Sequence, residues 1–474
     1  MNRVCRVLVS AIISGLALSA CAQVDREGLN ARINTVTTDV PDSWQVGGTP
    51  KAVRSENWIM LFEDPLLADY LARAEIANFD IRQARINIAG SQQAVLQARS
   101  SLLPNVNAST GAGVSGVLES LSNVNDSSNA SLSFFWDPDI FGVRRAGVRQ
   151  SQASLRAQQA VAFNIRQQVL ANVAQLYVAI IQSELQLELA RTNLGFLEDR
   201  FRISEAQFKS GAIGGDELAF AETNFQSSLA GFRIQELATR QTRRALSLLL
   251  GDFGEDDLAV ADILPVPILL PEQGVPASAL ERRPDVQLAW AQIEIAIAGY
   301  EISVADDWPT LNFSGSIGGG GPDIGDIFEP STYLASLAAN IAGNVFDGGL
   351  NKAQRESARL NTEGALLNYE QVIRGAKAEI EDIYDQDQVS KSSLEALQDA
   401  STAGNEALRL EQIRFDLGES DLLSVLQVQQ TVNGVNAARI NAEANLLSNQ
   451  IEAYLATGGD LETPRSQATV WGEN

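Results

Sequence analysis

The chain has 474 residues, a formal net charge of −24 and no histidine. Histidine-based zinc sites and Ser-His-Asp or Cys-His catalysis are therefore excluded, and the acidic excess argues against nucleic acid or a polybasic membrane surface as partner. The length suits two or three domains or a tandem duplication of one elongated unit, and an internal repeat selects the duplication.

Arg3 and Arg6 precede an apolar run from Val7 to Leu18 that ends in Leu18-Ser19-Ala20-Cys21. The run is too short to span a bilayer and closes on small residues, as a secretory signal does. Its last four residues resemble a bacterial lipobox, which makes residues 1–20 a lipoprotein signal peptide and Cys21 the lipidated first residue of the mature chain. Cys5 leaves with the signal, so neither a disulfide nor a free thiol is expected. Ala22 stands where such lipoproteins carry aspartate when retained, and the resemblance implies sorting to the outer membrane. Residues 21–57 lack a sustained period and read as an extended tether.

A first repeat is expected over residues 58–264. Trp58 to Pro65 introduces a helix from about Leu66 to Leu102, stopped by Pro104. The period then changes to two: Val106, Ala108, Thr110, Ala112 and Val114 alternate with Asn, Ser and Gly, and after a polar loop at Ser120–Asn129 so do Ala130, Leu132, Phe134 and Trp136. This is a β-hairpin. Asp139 to Leu264 contains no proline, and Val169, Val173, Leu176, Ile180, Ser183 and Leu187 open a 4-3 seam that continues to Phe208. A helix from about Gly142 to Ser210 would run roughly 100 Å at ~1.5 Å per residue. Gly211 to Gly215 break it, and Asp216 is expected to N-cap a returning helix that ends at Leu248-Leu249-Leu250-Gly251. Residues 265–283 form a proline-rich linker, and the nearby Glu255-Asp256-Asp257 reads as solvated surface.

Then the pattern recurs. Leu103-Pro104-Asn105 returns as Trp308-Pro309-Thr310 (309 − 104 = 205), Phe141-Gly142 returns as Phe346-Asp347 (346 − 141 = 205), and Gly211 returns as Gly418 (418 − 211 = 207). The second repeat, residues 284–463, is expected to hold a helix from Pro284 to Asp306 and strands marked by Leu311, Phe313 and Ile317 and by Tyr333 to Val345. A second helical hairpin with its tip at Gly418-Glu419-Ser420-Asp421 follows, and residues 464–474 are a tail. Gly318 to Gly321 lack a following Gly-Lys-Ser/Thr, so a barrel loop is more natural there than a phosphate-binding loop. Each strand approaches the ~9–11 residues of a tilted transmembrane strand, with Val106, Phe134, Phe313 and Ile341 meeting lipid and the alternate face lining water. Soluble hairpins would show the same alternation, but the chain offers no other core for them to pack against. Four strands cannot close a barrel and open edges are not tolerated in lipid, so two, three or four copies must share one.

These features converge on a family. The chain resembles the TolC-like outer-membrane efflux proteins, particularly the lipoprotein branch paired with resistance-nodulation-division pumps. The resemblance rests on Leu280-Glu281-Arg282-Arg283-Pro284-Asp285-Val286, supported by Phe62-Glu63-Asp64-Pro65-Leu66, Asp139-Ile140-Phe141-Gly142 and Leu248 to Gly251, and by Arg414-Phe415 with Gly418 and Leu422. It implies an α+β membrane protein with four transmembrane β-strands and two very long α-helical hairpins per chain. Three chains would form a homotrimer with a twelve-stranded barrel in outer-membrane lipid and a periplasmic α-helical tunnel. Implied partners are a periplasmic adaptor protein and an inner-membrane efflux transporter, with no cofactor and no catalysis.

In the family the hairpin tips form a periplasmic gate and the adaptor-docking surface. An acidic residue, here Glu217, joins an arginine and a tyrosine, whose positions hold Ser420 and Phe415. Usual acids of the constriction are replaced by Ser424 and Gln427. Asp216 and Asp421 are the available substitute charges, and Leu422, Leu423 and Leu426 are expected to close the bore by apolar packing beside Gly418. A periplasmic adaptor would carry one hairpin between small β-domains, and a coiled-coil scaffold would leave the strands and the Arg283-Pro284-Asp285 signature unexplained.

Overall fold

The computed structural model describes residues 62, 64–116, 124–254, 257–267, 270 and 280–457. Cys21 with its signal and tether, most of the proline-rich linker and the tail lie outside the described residues. The elements in order are α1 (Pro65–Ala77), α2 (Phe79–Ser100), β1 (Asn105–Gly116), β2 (Val124–Trp136), α3 (Val143–Lys209), α4 (Gly215–Leu249), α5 (Pro284–Ala305), β3 (Thr310–Gly321), β4 (Leu334–Ala342), α6 (Leu350–Asp416) and α7 (Leu422–Ala456). None of the described helices is long and apolar enough to cross a membrane.

Two of the expected boundaries are corrected. The helix read as continuous from Leu66 to Leu102 is two, because Asn78 leaves helical geometry (ψ 133°) and its side chain accepts from the amides of Asp80 and Ile81, capping α2. The stretch read as a polar loop, Ser120–Asn129, supplies the first half of β2 from Val124 onward, where Asn and Ser pair across the ladder with β1.

The chain divides into two compact units, each drawing on both repeats. One comprises Asn87–Gln159 and Gln287–Gln371 and holds an antiparallel sheet of order β1-β2-β3-β4. Val106 lies opposite Phe134, Phe134 opposite Gly315, and Gly315 opposite Leu337. Directly opposed residues share a face, and successive side chains alternate, so Val106, Phe134, Phe313 and Ile341 all fall on one side. The other side carries Asn and Ser, with Ser109 to Ser131 and Ser316 to Ser336 hydrogen-bonded across strands at 2.8 Å. Gly315 is required on the apolar side, where an added Cβ would overlap the Phe134 ring. At one end of the sheet Trp136 stacks on Phe313 and Phe141 on Trp308. Asp139, in the left-handed region at φ 51°, then accepts from the amides of Arg144 and Arg145 and so starts α3.

The other unit, Val40–Ile86, Ala160–Val286 and Val372–Asn474 as far as described, contains the main apolar core. Leu67, Leu71, Leu170, Ile181, Leu246 and Leu447 are fully or almost fully buried there. Tyr177 donates to Asp64 (2.6 Å) and accepts from the Ala261 amide, while Tyr70 donates to the Ala259 carbonyl, so these two phenols strap the segment after α4 to the helices. Burial, reinforced by the Asp64 hydrogen bond, pushes the Tyr177 phenol up. The 4-3 seam of α3 turns inward: Val169, Val173 and Ile180 are buried, Ser183 bonds Thr239 of α4 at 2.7 Å, and Phe201 stacks on Phe225.

Candidate functional site

Both hairpin tips belong to the second unit and close in the same way. Gly211 (φ 73°) and Gly418 (φ 76°) take the left-handed conformation. The amides of Ala212 and Glu419 reach back five residues to the carbonyls of Gln207 and Arg414 at 2.8 Å, the Schellman ending of a helix. The two tips then differ in how the returning helix begins. Asp421 caps α7, its carboxylate accepting from the Ser424 amide at 2.7 Å, and that bond holds its carboxyl below the ordinary range. Asp216 does not cap α4, contrary to expectation. The helix starts two residues earlier, on an extended Gly214 with no side-chain cap, leaving Asp216 and Glu217 exposed in the first turn, where the helix dipole favours negative charge.

The remaining tip residues separate into those that make contacts and those that present a surface. Ser420 donates to Glu411, which also receives Arg414 at 3.0 Å, so the serine is tied back to its own hairpin. Among the described residues no hydrogen bond or ion pair joins Glu217 to Ser420 or Phe415. Phe415 instead lies under the Arg200 guanidinium, 4.8 Å from its ring centroid, and Arg200 is also 5.1 Å from the Phe196 ring. This cation–π sandwich joins α3 of the first hairpin to α6 of the second. Sequence reasoning did not single out Arg200; its signal is the Phe196/Arg200 spacing of four, one helical turn.

Below it the hairpins are stitched by side-chain amides, two pairing with other amides and one donating to a carboxylate. Asn433 bonds Asn193 at 2.5 Å, Gln182 bonds Asn441 at 2.7 Å, and Gln175 bonds Glu452 at 3.3 Å, so α7 runs antiparallel along α3. Around the start of α7, Val425 is fully buried and Leu422, Ser424 and Leu426 are half-buried, while Gln427 and Leu423 are exposed, Leu423 at 51%. In a single chain, Leu423 and Gln427 are the parts of this turn free to meet something else.

The Arg283-Pro284-Asp285 signature forms a separate knot. Pro284 opens α5, where its missing amide hydrogen costs nothing. Arg283, only 7% exposed, forks onto Asp285 (3.1 and 2.8 Å), reaches Glu379 of α6 at 2.6 Å and donates to the Ala456 carbonyl at 2.8 Å. Burial pulls against its charge, but the two carboxylates outweigh that and raise it. The signature thus fastens the start of the second repeat to the end of α7, beside a polar cavity of about 860 Å³ that includes Gln167, Gln175 and Glu452.

The sequence profile of the outer membrane efflux protein family matches residues 70–252 and 275–459. The pyoverdine export outer membrane protein OpmQ of Pseudomonas aeruginosa is 28% identical over 443 residues, covering 90% of this chain and 92% of that protein. The toluene efflux pump outer membrane protein TtgF of Pseudomonas putida is 25% identical over 424 residues and 87% of each chain. Among solved structures, the Campylobacter jejuni CmeC outer membrane channel has the same fold, with a TM-score of 0.82 at 18% identity over 91% of this chain and 94% of that one. The open state of the Neisseria gonorrhoeae MtrE channel follows at TM-score 0.78 and 24% identity, over 90% and 96%.

Proposed function

This chain belongs to the outer membrane efflux protein family and acts as an outer-membrane efflux channel, and we propose that it does so as a homotrimeric passive duct. The observation that carries the reading is the sheet. It has one apolar and one Asn/Ser face, and β1 and β4 each pair on one side only among the described residues. Unpaired strand edges are not tolerated in hydrocarbon. The edges of one chain are therefore completed by those of its copies, and three copies of four strands make twelve. Apolar side chains face lipid and the serine ladder faces water.

The relatives named as efflux pump proteins support an adaptor and an inner-membrane transporter as partners, with the hairpin tips as gate and docking surface. Glu217, Asp216 and Asp421 supply charge at the rim, and Leu423, Leu426 and Gln427 of three copies close the bore. Cys21 carries the lipid anchor. The test is the mass of the full chain, purified in mild detergent, by light scattering: three copies are expected, with heat-dependent migration on gels. A monomer overturns the shared barrel.

A further inference from the structure

Where Arg283 meets the end of α7, three helices of the second unit turn polar stripes toward one space. On α6, Gly375, Glu379, Asp382 and Gln386 keep the 4-3-4 spacing of a helix-packing seam, yet all four are exposed and three are polar. On α3, Gln168 and Gln175 stand seven residues apart. At ~100° per residue they point away from Tyr177 and Val173, which are buried in the apolar core beneath the segment after α4. On α7, Asn449 and Glu452 share a face. These side chains meet no further helix. They line the cavity of about 860 Å³ beside the Arg283 knot, and every lining residue belongs to the second unit.

A solvated surface also carries polar stripes, but this space is built. Arg283 at 7% exposure and Gln167 at 3% are polar side chains held inside the protein, and both line the cavity. Its volume falls in the ~300–1,000 Å³ range of pockets that hold small organic ligands.

The charges select the ligand. The Arg283 guanidinium is already met by Asp285 and Glu379, so it offers no free positive charge to an anion. Among the described residues Asp382 makes no hydrogen bond or ion pair, and Glu452 receives the Gln175 amide at 3.3 Å. One guanidinium against Asp285, Glu379, Asp382 and Glu452 leaves the lining at 1 − 4 = −3. A bare metal ion fits poorly, because no three carboxylates among the described residues are grouped to hold one. The lining also includes Ala378, Ile383 and Leu455, apolar surface that suits methylene groups and that a small hydrated ion cannot use.

We propose that this cavity binds alkyl polyammonium solutes, the polyamine class. Asp382 and Glu452 take the ammonium groups, the Asn164 and Gln168 carboxamides accept further N–H donors, and Ile383 and Leu455 meet the carbon chain. Charge-assisted bonds of this kind are the strong ones. The site is complete within one chain and needs neither the shared barrel nor the gate.

The test is calorimetric titration of spermidine into the full chain in mild detergent at fixed, near-physiological ionic strength, with saturation at one site per chain expected. Asp382→Asn together with Glu452→Gln keeps both side-chain shapes at exposed positions and should weaken binding about tenfold or more. Glu395→Gln together with Asp399→Asn removes the same charge from exposed positions of α6 that begin nine residues beyond Gln386 (395 − 386), and should leave the affinity unchanged. Magnesium chloride at equal ionic strength should not displace spermidine. Absence of saturable binding, or equal losses in the two double variants, would overturn the site by showing no more than general attraction to an acidic protein. Magnesium binding that displaces spermidine and is lost with Asp382 and Glu452 would overturn the ligand class in favour of a metal ion. A monomeric preparation that still binds spermidine would remove the trimer reading and leave this site standing.

Discussion

The two faces of the sheet make opposite demands on a charge, and Leu132 is the position that separates them best. It lies in the row Ala108, Leu132, Ile317 and Ala335 on the apolar side, four residues along β2 from Trp136. Trp136 and Phe313 stack there, and with Phe141 and Trp308 they form an aromatic band at one end of the sheet. With strands rising ~3.4 Å per residue and tilted about 45°, four residues climb roughly 10 Å from that band, close to the middle of an apolar belt ~25 Å tall. Arginine at the midplane of a lipid-facing strand costs about 2–4 kcal/mol, and every 1.4 kcal/mol is tenfold, so Leu132→Arg should lower the assembled fraction by about 30- to 1,000-fold at equilibrium.

Ser133→Arg places the same charge one residue along, opposite Ser316 on the polar side, and should assemble nearly as the unmodified chain does. Phe313→Arg sits in the aromatic band, where the charge costs only ~0–1 kcal/mol and the lost stack about 0.5–1.5 kcal/mol. It should fall between the two, and remain worse than Ser314→Arg. Heat-modifiable trimer yield from isolated outer membranes, with total protein measured in parallel, ranks the four variants. Equal yields for Leu132→Arg and Ser133→Arg would mean that the sheet does not face lipid on the side bearing Val106 and Phe134.

Arg200→Ala should raise resting conductance in planar bilayers by releasing Phe415, a contact worth about 0.5–1 kcal/mol at an exposed site; an unchanged conductance would make the sandwich ornamental to closure. Leu423→Ser or Leu426→Ser should also raise it, whereas Asp421→Asn should mainly alter ion selectivity. Because the Asp421 carboxyl is held below its ordinary value, its capping contribution is present above the ordinary carboxylate range and lost as pH falls through the lowered folded value. Melting curves of Asp421→Asn should therefore lack that acid-side loss. Arg283→Met should destabilise the chain by roughly 1–3 kcal/mol in denaturant titrations. A broken buried ion pair costs ~3–5 kcal/mol, discounted because Asp285 and Glu379 are 41% and 51% exposed.

What could be read from residues alone follows the range of the forces involved. Periods of two and of seven are local, so the four strands, their faces and both hairpins were legible, down to the glycines that end α3 and α6. Capping is local too, but several residues compete for it. Asn78 looked like one polar residue in a helical run until its side-chain Oδ1 accepted from the Asp80 and Ile81 amides. Asp216 looked like a cap, yet an extended Gly214 let the helix begin before it. Val124 to Asn129 hid as a loop because a strand end with polar side chains on both faces has no period to detect.

The tip contact could not be read at all, since Arg200 and Phe415 are 215 positions apart (415 − 200) and only the packing of α6 beside α3 brings them together. That contact also changes the electrostatic logic of the tip. The chain holds the Arg200 guanidinium on two aromatic faces and ties Ser420 to Glu411 within one hairpin. A cation over a ring is attracted by the ring's quadrupole, so protonating a carboxylate does not release it. Glu217 lies exposed in the first turn of α4 and takes no part in the link between the hairpins. Glu217→Gln should therefore shift ion selectivity in planar bilayers and leave the resting conductance unchanged, and a conductance that rose would show that a carboxylate holds the tips after all.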